Sequence, residues 1–168
     1  MKAGAMAGNL ALGLAAASLW APRELAQADS ASRSVLKGAA VEYMFPEQVT
    51  IAAGKPSNVA LHFRVAPGLH INSHTPKDEF LIPTSFIIPD GAGVTLQGAT
   101  YPEGADFTLS SDPQNKLSVY TREFVIEARV VAEAGDHLVE AKLRFQACDE
   151  TACMPPKTIP VALDVIGK

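Results

Sequence analysis

Apolar residues in this chain recur at every second position, and clusters of glycine and proline interrupt them at short intervals. Val59, Leu61, Phe63 and Val65 alternate with Asn58, His62 and Arg64, and Phe124, Ile126, Ala128 and Val130 repeat the pattern. Val49 and Ile51 follow it too, as do Thr84 to Ile88, Val94 to Ala99, Leu138 to Phe145 and Thr158 to Val165. A period of two suits strands with one buried face, whereas a helix repeats its apolar stripe every three to four residues. Gly54-Lys55-Pro56, Pro67-Gly68, Pro89-Asp90-Gly91, Pro102-Glu103-Gly104 and Ala134-Gly135-Asp136 supply the turns. With 12 Gly and 12 Pro in 168 residues, no room is left for a long amphipathic helix. The expectation is all-β: about seven to nine short strands in an immunoglobulin-like antiparallel β-sandwich, a small barrel being the other way to close such a set. Two stretches lack the alternation and read as long loops, Pro67 to Pro83 and Pro102 to Tyr120.

The N-terminus is of a different kind. Met1-Lys2 precedes a small, apolar run from Ala3 to Ala21, and Ala26-Gln27-Ala28 before Asp29 resembles a small-x-small cleavage site. Residues 1–28 therefore read as a secretory signal peptide, with an uncleaved signal anchor as the alternative. Residues 29–40 read as a flexible lead-in and 41–168 as the folded domain. The roughly 140 residues left after cleavage can bury a core without covalent staples. No later segment approaches the ~20 apolar residues of a membrane span. A net charge of −4 with no basic stripe argues against nucleic acid as a partner.

The export signal gives weight to the cysteines. There are two, Cys148 and Cys153, in a compartment where paired thiols are normally oxidised. They lie between the strands ending at Phe145 and beginning near Thr158, so a hairpin would set them opposite one another. Opposed residues in an antiparallel ladder have Cα atoms about 4.5–5.5 Å apart, within the span a disulfide requires. The ring would be short, and the chain-entropy model gives it only ~2.2 kcal/mol. From the spacing alone, a stabilising bridge and an exchanging one stand equal. The intervening Asp149 and Glu150 disfavour thiolates, which suits a disulfide attacked by a partner's activated thiol. Met154-Pro155-Pro156 then sets an extended exit.

The run Phe145-Gln146-Ala147-Cys148-Asp149-Glu150-Thr151-Ala152-Cys153-Met154-Pro155-Pro156, followed by Thr158-Ile159-Pro160-Val161, resembles the signature of the periplasmic N-terminal domain of the DsbD thiol:disulfide interchange family. Gly68-Leu69-His70-Ile71-Asn72-Ser73, Phe80-Leu81-Ile82-Pro83-Thr84 and Leu117-Ser118-Val119-Tyr120 are similar to further segments of it. The resemblance implies an immunoglobulin-like sandwich with a redox-active dithiol at one end and no cofactor. It implies a thioredoxin-like domain of a membrane electron transporter as donor. Oxidised periplasmic thiol proteins, such as disulfide isomerases or cytochrome c maturation factors, would be the acceptors. By motif position, Cys153 would form the mixed disulfide and Cys148 would resolve it. Phe107 is the best match to the family's aromatic cap, with Leu117 and Tyr120 as further candidates.

Three features depart from the family pattern. The cysteine spacing is one residue shorter than in enterobacterial members. His70 and Asn72 stand where those members carry tyrosines. A stand-alone form is expected, its electron donor being a separate protein.

His70 is a candidate proton shuttle beside the dithiol, since imidazole titrates near neutral pH; a loop histidine without chemistry is the plainer reading. His74 is a weaker candidate, and His62 and His137 read as solvent-face residues. Two other functions compete. Cys148, Cys153 and Met154 with His70 or His74 form a soft set suited to a Cu(I) carrier, although no metal is expected for the relay. An immunoglobulin-like binding module with a structural disulfide is the other. No serine or cysteine sits in a motif for nucleophilic hydrolysis.

Overall fold

The computed structural model describes residues 38–44 and 48–168 together with Met1. The signal-peptide segment and most of the lead-in lie outside the described residues. The chain divides into two units, Met1–Val35 and Leu36–Lys168, and the architecture below is that of the second. Its strands are β1 (Val41–Met44), β2 (Gln48–Ile51), β3 (Ser57–Val65), β4 (His70–Asn72), β5 (Ser85–Ile87) and β6 (Val94–Thr100). They continue with β7 (Ala105–Leu109), β8 (Asp112–Tyr120), β9 (Glu123–Ala132), β10 (Gly135–Phe145), β11 (Ala147–Cys148) and β12 (Lys157–Gly167). Among the described residues no helix is long and apolar enough to cross a membrane.

Two sheets form the sandwich, in the orders β1-β3-β9-β6 and β2-β12-β10-β5. These are the A-B-E-D and C-F-G arrangements of an immunoglobulin-like fold, with the first strand split between the sheets. The split explains the parallel pairing of β2 with β12, against the antiparallel pairing of the others. Alternation sets which side chains meet between the sheets. Leu61 and Phe63 of β3, Ile126 and Ala128 of β9, Ala141 and Leu143 of β10, and Val161 and Val165 of β12 are each fully buried. Phe63 stacks on Phe124 at 5.3 Å between ring centroids, and Phe124 on Tyr120 at 4.8 Å. The aromatic row thus continues from the sandwich into β8.

The third sheet, β11-β4-β8-β7, is the departure from expectation. The two stretches read as loops contain its strands: β4 lies within Pro67–Pro83, and β7 and β8 form a hairpin within Pro102–Tyr120. Their sequence conceals this because Pro113 to Lys116 on β8 are exposed without alternation. The third sheet and the split first strand also account for the twelve strands among the described residues, where fewer were expected. In a sandwich of alternating strand direction, the connections B–C, D–E and F–G leave from the same end. Here they carry β4, β7–β8 and β11 respectively, so one sheet is assembled from three connections. The opposite end is closed by Ala53 N–H donating to the Lys168 carbonyl at 2.7 Å and Lys168 N–H to that of Ile51 at 3.0 Å.

Candidate functional site

Strands β10 and β12 pair from Gly135↔Gly167 to Phe145↔Lys157. Beyond that last rung β10 gives way to β11, which leaves β12 and pairs with β4 through Ala147↔Ile71 and Cys148↔His70. Cys148 and Cys153 remain opposed as an isolated antiparallel bridge and are joined by a disulfide. Their Cα atoms are 3.9 Å apart, closer than the ladder spacing anticipated from sequence.

The turn between them is built by Asp149. Its Oδ1 accepts from Thr151 N–H and Thr151 Oγ1–H at 2.7 Å each, and from Ala152 N–H at 2.9 Å. Short polar side chains favour such turns because they satisfy the backbone locally. Asp149 N–H donates to the Ala152 carbonyl at 3.0 Å, and Met154 N–H to that of Ala147 at 2.8 Å. The bond to the Thr151 hydroxyl, followed by those to the two amides, holds the Asp149 carboxyl below the usual carboxylate range. The sulfur-bearing residues are unequally placed: Cys148 is 2% exposed, whereas Cys153 is solvent-exposed.

Register decides what surrounds them. Cys148 pairs with His70, Asn72 with Val119, Ala105 with Val119, and Phe107 with Leu117. Because faces alternate along a strand, Cys148, His70, Asn72, Leu117 and Phe107 share one face of the third sheet. The other face carries Ala147, Ile71 and Tyr120, all members of the sandwich core. The structure thus sets His70 beside Cys148 and Phe107 against His70, with Leu117 opposite Phe107 on the same face, but sends Tyr120 elsewhere. Its position is out of phase with Leu117, and its hydroxyl donates to the Pro102 carbonyl at 3.0 Å.

Phe107 is half-buried, and its ring lies 4.3 Å from that of His70 between centroids. His70 is 2% exposed, and its Nε2 has no hydrogen-bond partner. Burial lowers its pKa from the ordinary histidine value, against the opposing pull of Glu150 and then Asp149. His70, Phe107 and Glu150 line a groove of about 960 Å³ with Val65, Leu69 and Arg122. At the turn before β9, Arg122 has a left-handed backbone, with φ of 60°.

Two tethers went unnoticed in sequence. Gln146 Oε1 accepts from Asn72 Nδ2–H at 3.3 Å and Ile82 N–H at 3.4 Å, while its Nε2–H donates to the Met154 carbonyl at 3.2 Å. One side chain therefore joins the Pro67–Pro83 connection to the exit from the dithiol turn. Asp106, adjacent to Phe107, receives Lys77 and Lys116, the latter at 3.1 Å. Lys77 thereby links the cap hairpin to the same connection, and hydrogen bonding by Lys77 and then Lys116 lowers the Asp106 pKa. Gln146 stands inside the quoted cysteine motif, but nothing local announces partners 64 and 74 residues away.

The other histidines are engaged elsewhere. His74 stacks on Tyr101 at 3.7 Å, and its Nδ1–H donates to the Thr84 carbonyl at 2.9 Å. His137 Nε2–H donates to the Glu133 carbonyl at 3.0 Å, and His62 is exposed on β3. Met154 packs against the core. Among the described residues, no group of three or more His, Cys, Asp or Glu could hold a metal ion.

Fold and site together define an immunoglobulin-like domain with an interstrand disulfide at its loop-bearing end. The chain belongs to the family described as thiol:disulfide interchange protein DsbD, N-terminal, whose model matches residues 40–164. Among solved structures, it is similar to the N-terminal domain of Neisseria meningitidis DsbD in the reduced form. That match has 19% identity and a TM-score of 0.42, covering 64% of this chain and 77% of the other. It is also similar to the N-terminal periplasmic domain of ScsB from Proteus mirabilis, at 14% identity and a TM-score of 0.48. There 74% of this chain is covered but only 44% of the other, so this chain spans less than half of that one. No curated protein matches the chain.

Proposed function

We propose that the chain is a periplasmic thiol–disulfide exchange domain, relaying electrons from a thioredoxin-like domain of a membrane electron transporter to oxidised periplasmic thiol proteins. Family membership supports exchange as the activity. The observation that carries the reading is the asymmetry of the disulfide, with Cys153 exposed and Cys148 buried against His70. An incoming thiolate meets Cys153 first, so Cys153 carries the mixed disulfide. Cys148 is then close enough to resolve it without rearrangement of the turn. Phe107, with Leu117 beside it, shields the bond between transfers.

Equilibration of the protein with glutathione or thioredoxin couples tests the reading. A reduction potential above about −300 mV is expected, whereas a lower value marks a structural bridge and ends the relay assignment. Cys148→Ser should accumulate mixed disulfides with oxidised thiol proteins through Cys153, whose thiol attacks the partner's disulfide, and Cys153→Ser should not.

A further inference from the structure

A buried imidazole with an unpartnered nitrogen calls for an explanation, because a buried polar atom lacking a hydrogen bond costs free energy. Nothing in packing requires nitrogen at position 70, since a carbocyclic ring would pack against Phe107 equally well. What distinguishes the position is its rung: His70 is the cross-strand partner of Cys148. Cβ atoms of such pairs lie about 4.5–5.5 Å apart on one face, which sets the Cys148 side chain beside the ring.

We propose that His70 is the proton acceptor for Cys148 when the dithiol closes. The proposal rests on the relay reading and specifies its second half. After Cys153 has attacked an oxidised partner, its sulfur is bonded to the partner's and Cys148 is a thiol. His70, with its own proton on Nδ1, takes the Cys148 proton on Nε2. The Cys148 thiolate attacks the Cys153 sulfur, forming the internal disulfide and breaking the bond to the partner. The electron pair leaves on the partner's sulfur, which then takes the proton from the imidazolium. Two electrons have passed to the partner, and His70 is neutral again.

The surroundings fit this cycle. Burial keeps the imidazole in its neutral, proton-accepting form, while Glu150 and Asp149 on the adjacent turn favour the transient cation. The other charged groups nearby are Arg64, Arg122 and Glu123 on the shared groove, and Asp106 with Lys77 and Lys116 around the Phe107 strand. Arg64 is paired with Glu123 at 2.9 Å and Asp106 with its lysines, and the charges that act on the ring are Glu150 and then Asp149. Cys148, flanked by acidic residues and buried, is a thiol that does not ionise readily unaided.

The test follows the reduced protein reacting with dithiobis(nitrobenzoate), a chromogenic disulfide whose leaving thiolate needs no proton. Attack by Cys153 releases one thiolate, and closure by Cys148 releases a second in a step independent of reagent concentration. In the wild type the closing rate should inflect with pH in the imidazole range. His70→Gln and His70→Phe should both slow closure at pH 7 on the order of 100-fold, a typical general-base contribution. Their residual rate should rise with thiol ionisation. Phe retains the ring contact with Phe107, so closure at the wild-type rate in His70→Phe, with an unchanged pH profile, overturns the proposal. Should neither variant fold, the wild-type profile decides: a single inflection in the thiol range overturns it. A wild-type protein that gives both phases and has a potential above about −300 mV keeps the relay reading intact whatever His70 does.

Discussion

The sandwich and the third sheet are made of the same kind of strand but are held together differently. In the sandwich, inward side chains are aliphatic or aromatic, and fully buried residues such as Leu61, Ile126 and Leu143 carry no polar atoms. On the dithiol face of the third sheet the buried residues include His70 and Asn72, and each has one side-chain atom without a partner. The first region derives stability from apolar area removed from water. The second holds groups that would be more stable hydrated, and it keeps them beside the only bond in the molecule that can be exchanged. Among the described residues, the buried side-chain polar atoms without a partner lie on the face of the third sheet that carries Cys148.

Substitutions should separate the two regions by their readouts. Phe63→Ala, which opens a cavity under the aromatic row, should cost about 3–5 kcal/mol in urea unfolding and leave the reduction potential of the folded protein unchanged. Replacing both cysteines by serine should cost only about 2 kcal/mol, the share of a short ring. A much larger loss would show that the dithiol is a staple of the sandwich after all. Phe107→Ala should cost less than about 1 kcal/mol, yet dithiothreitol should reduce its disulfide faster than that of the wild type. An unchanged rate would remove Phe107 as the shield.

The smallest effect concerns pH. The folded His70 pKa is lowered, so below the ordinary value near 6.5 the unfolded chain binds more protons. Stability should therefore fall as pH drops through 6.5 towards the folded value. Asp149 is also lowered, and its contribution is lost further down, as pH falls from about 3.9 through its folded value. His70→Phe should remove the upper window in urea titrations and weaken the lower one only slightly, because His70 is the least of the groups that lower the Asp149 pKa; equal flattening of both would contradict the separate main causes given to them.

Much of the sandwich was legible because alternation is a local signal. The strand ending at Phe145 and the one starting near Thr158 could be set opposite one another from their patterns alone, and the cysteines with them. The third sheet was not legible. β4 has three residues, all buried, so no alternation exists to be read. β8 is exposed from Pro113 to Lys116 and buried from Ser118 to Tyr120, so it shows no alternation either. Phe107 and Leu117 could be named as cap candidates by resemblance, but only the register places them on the face of Cys148 and Tyr120 on the other. That choice depends on pairings between residues far apart in the chain, which no single stretch records.

Strand β12 has a consequence for reach. It begins at the dithiol end, runs eleven residues without interruption and finishes beside Lys168 at the opposite end. At ~3.3 Å per residue this is a lever of about 36 Å. Anything that anchors the chain near Lys168 would hold the exposed Cys153 at arm's length. A swing about that anchor would carry Cys153 through an arc whose radius is the full length of the strand.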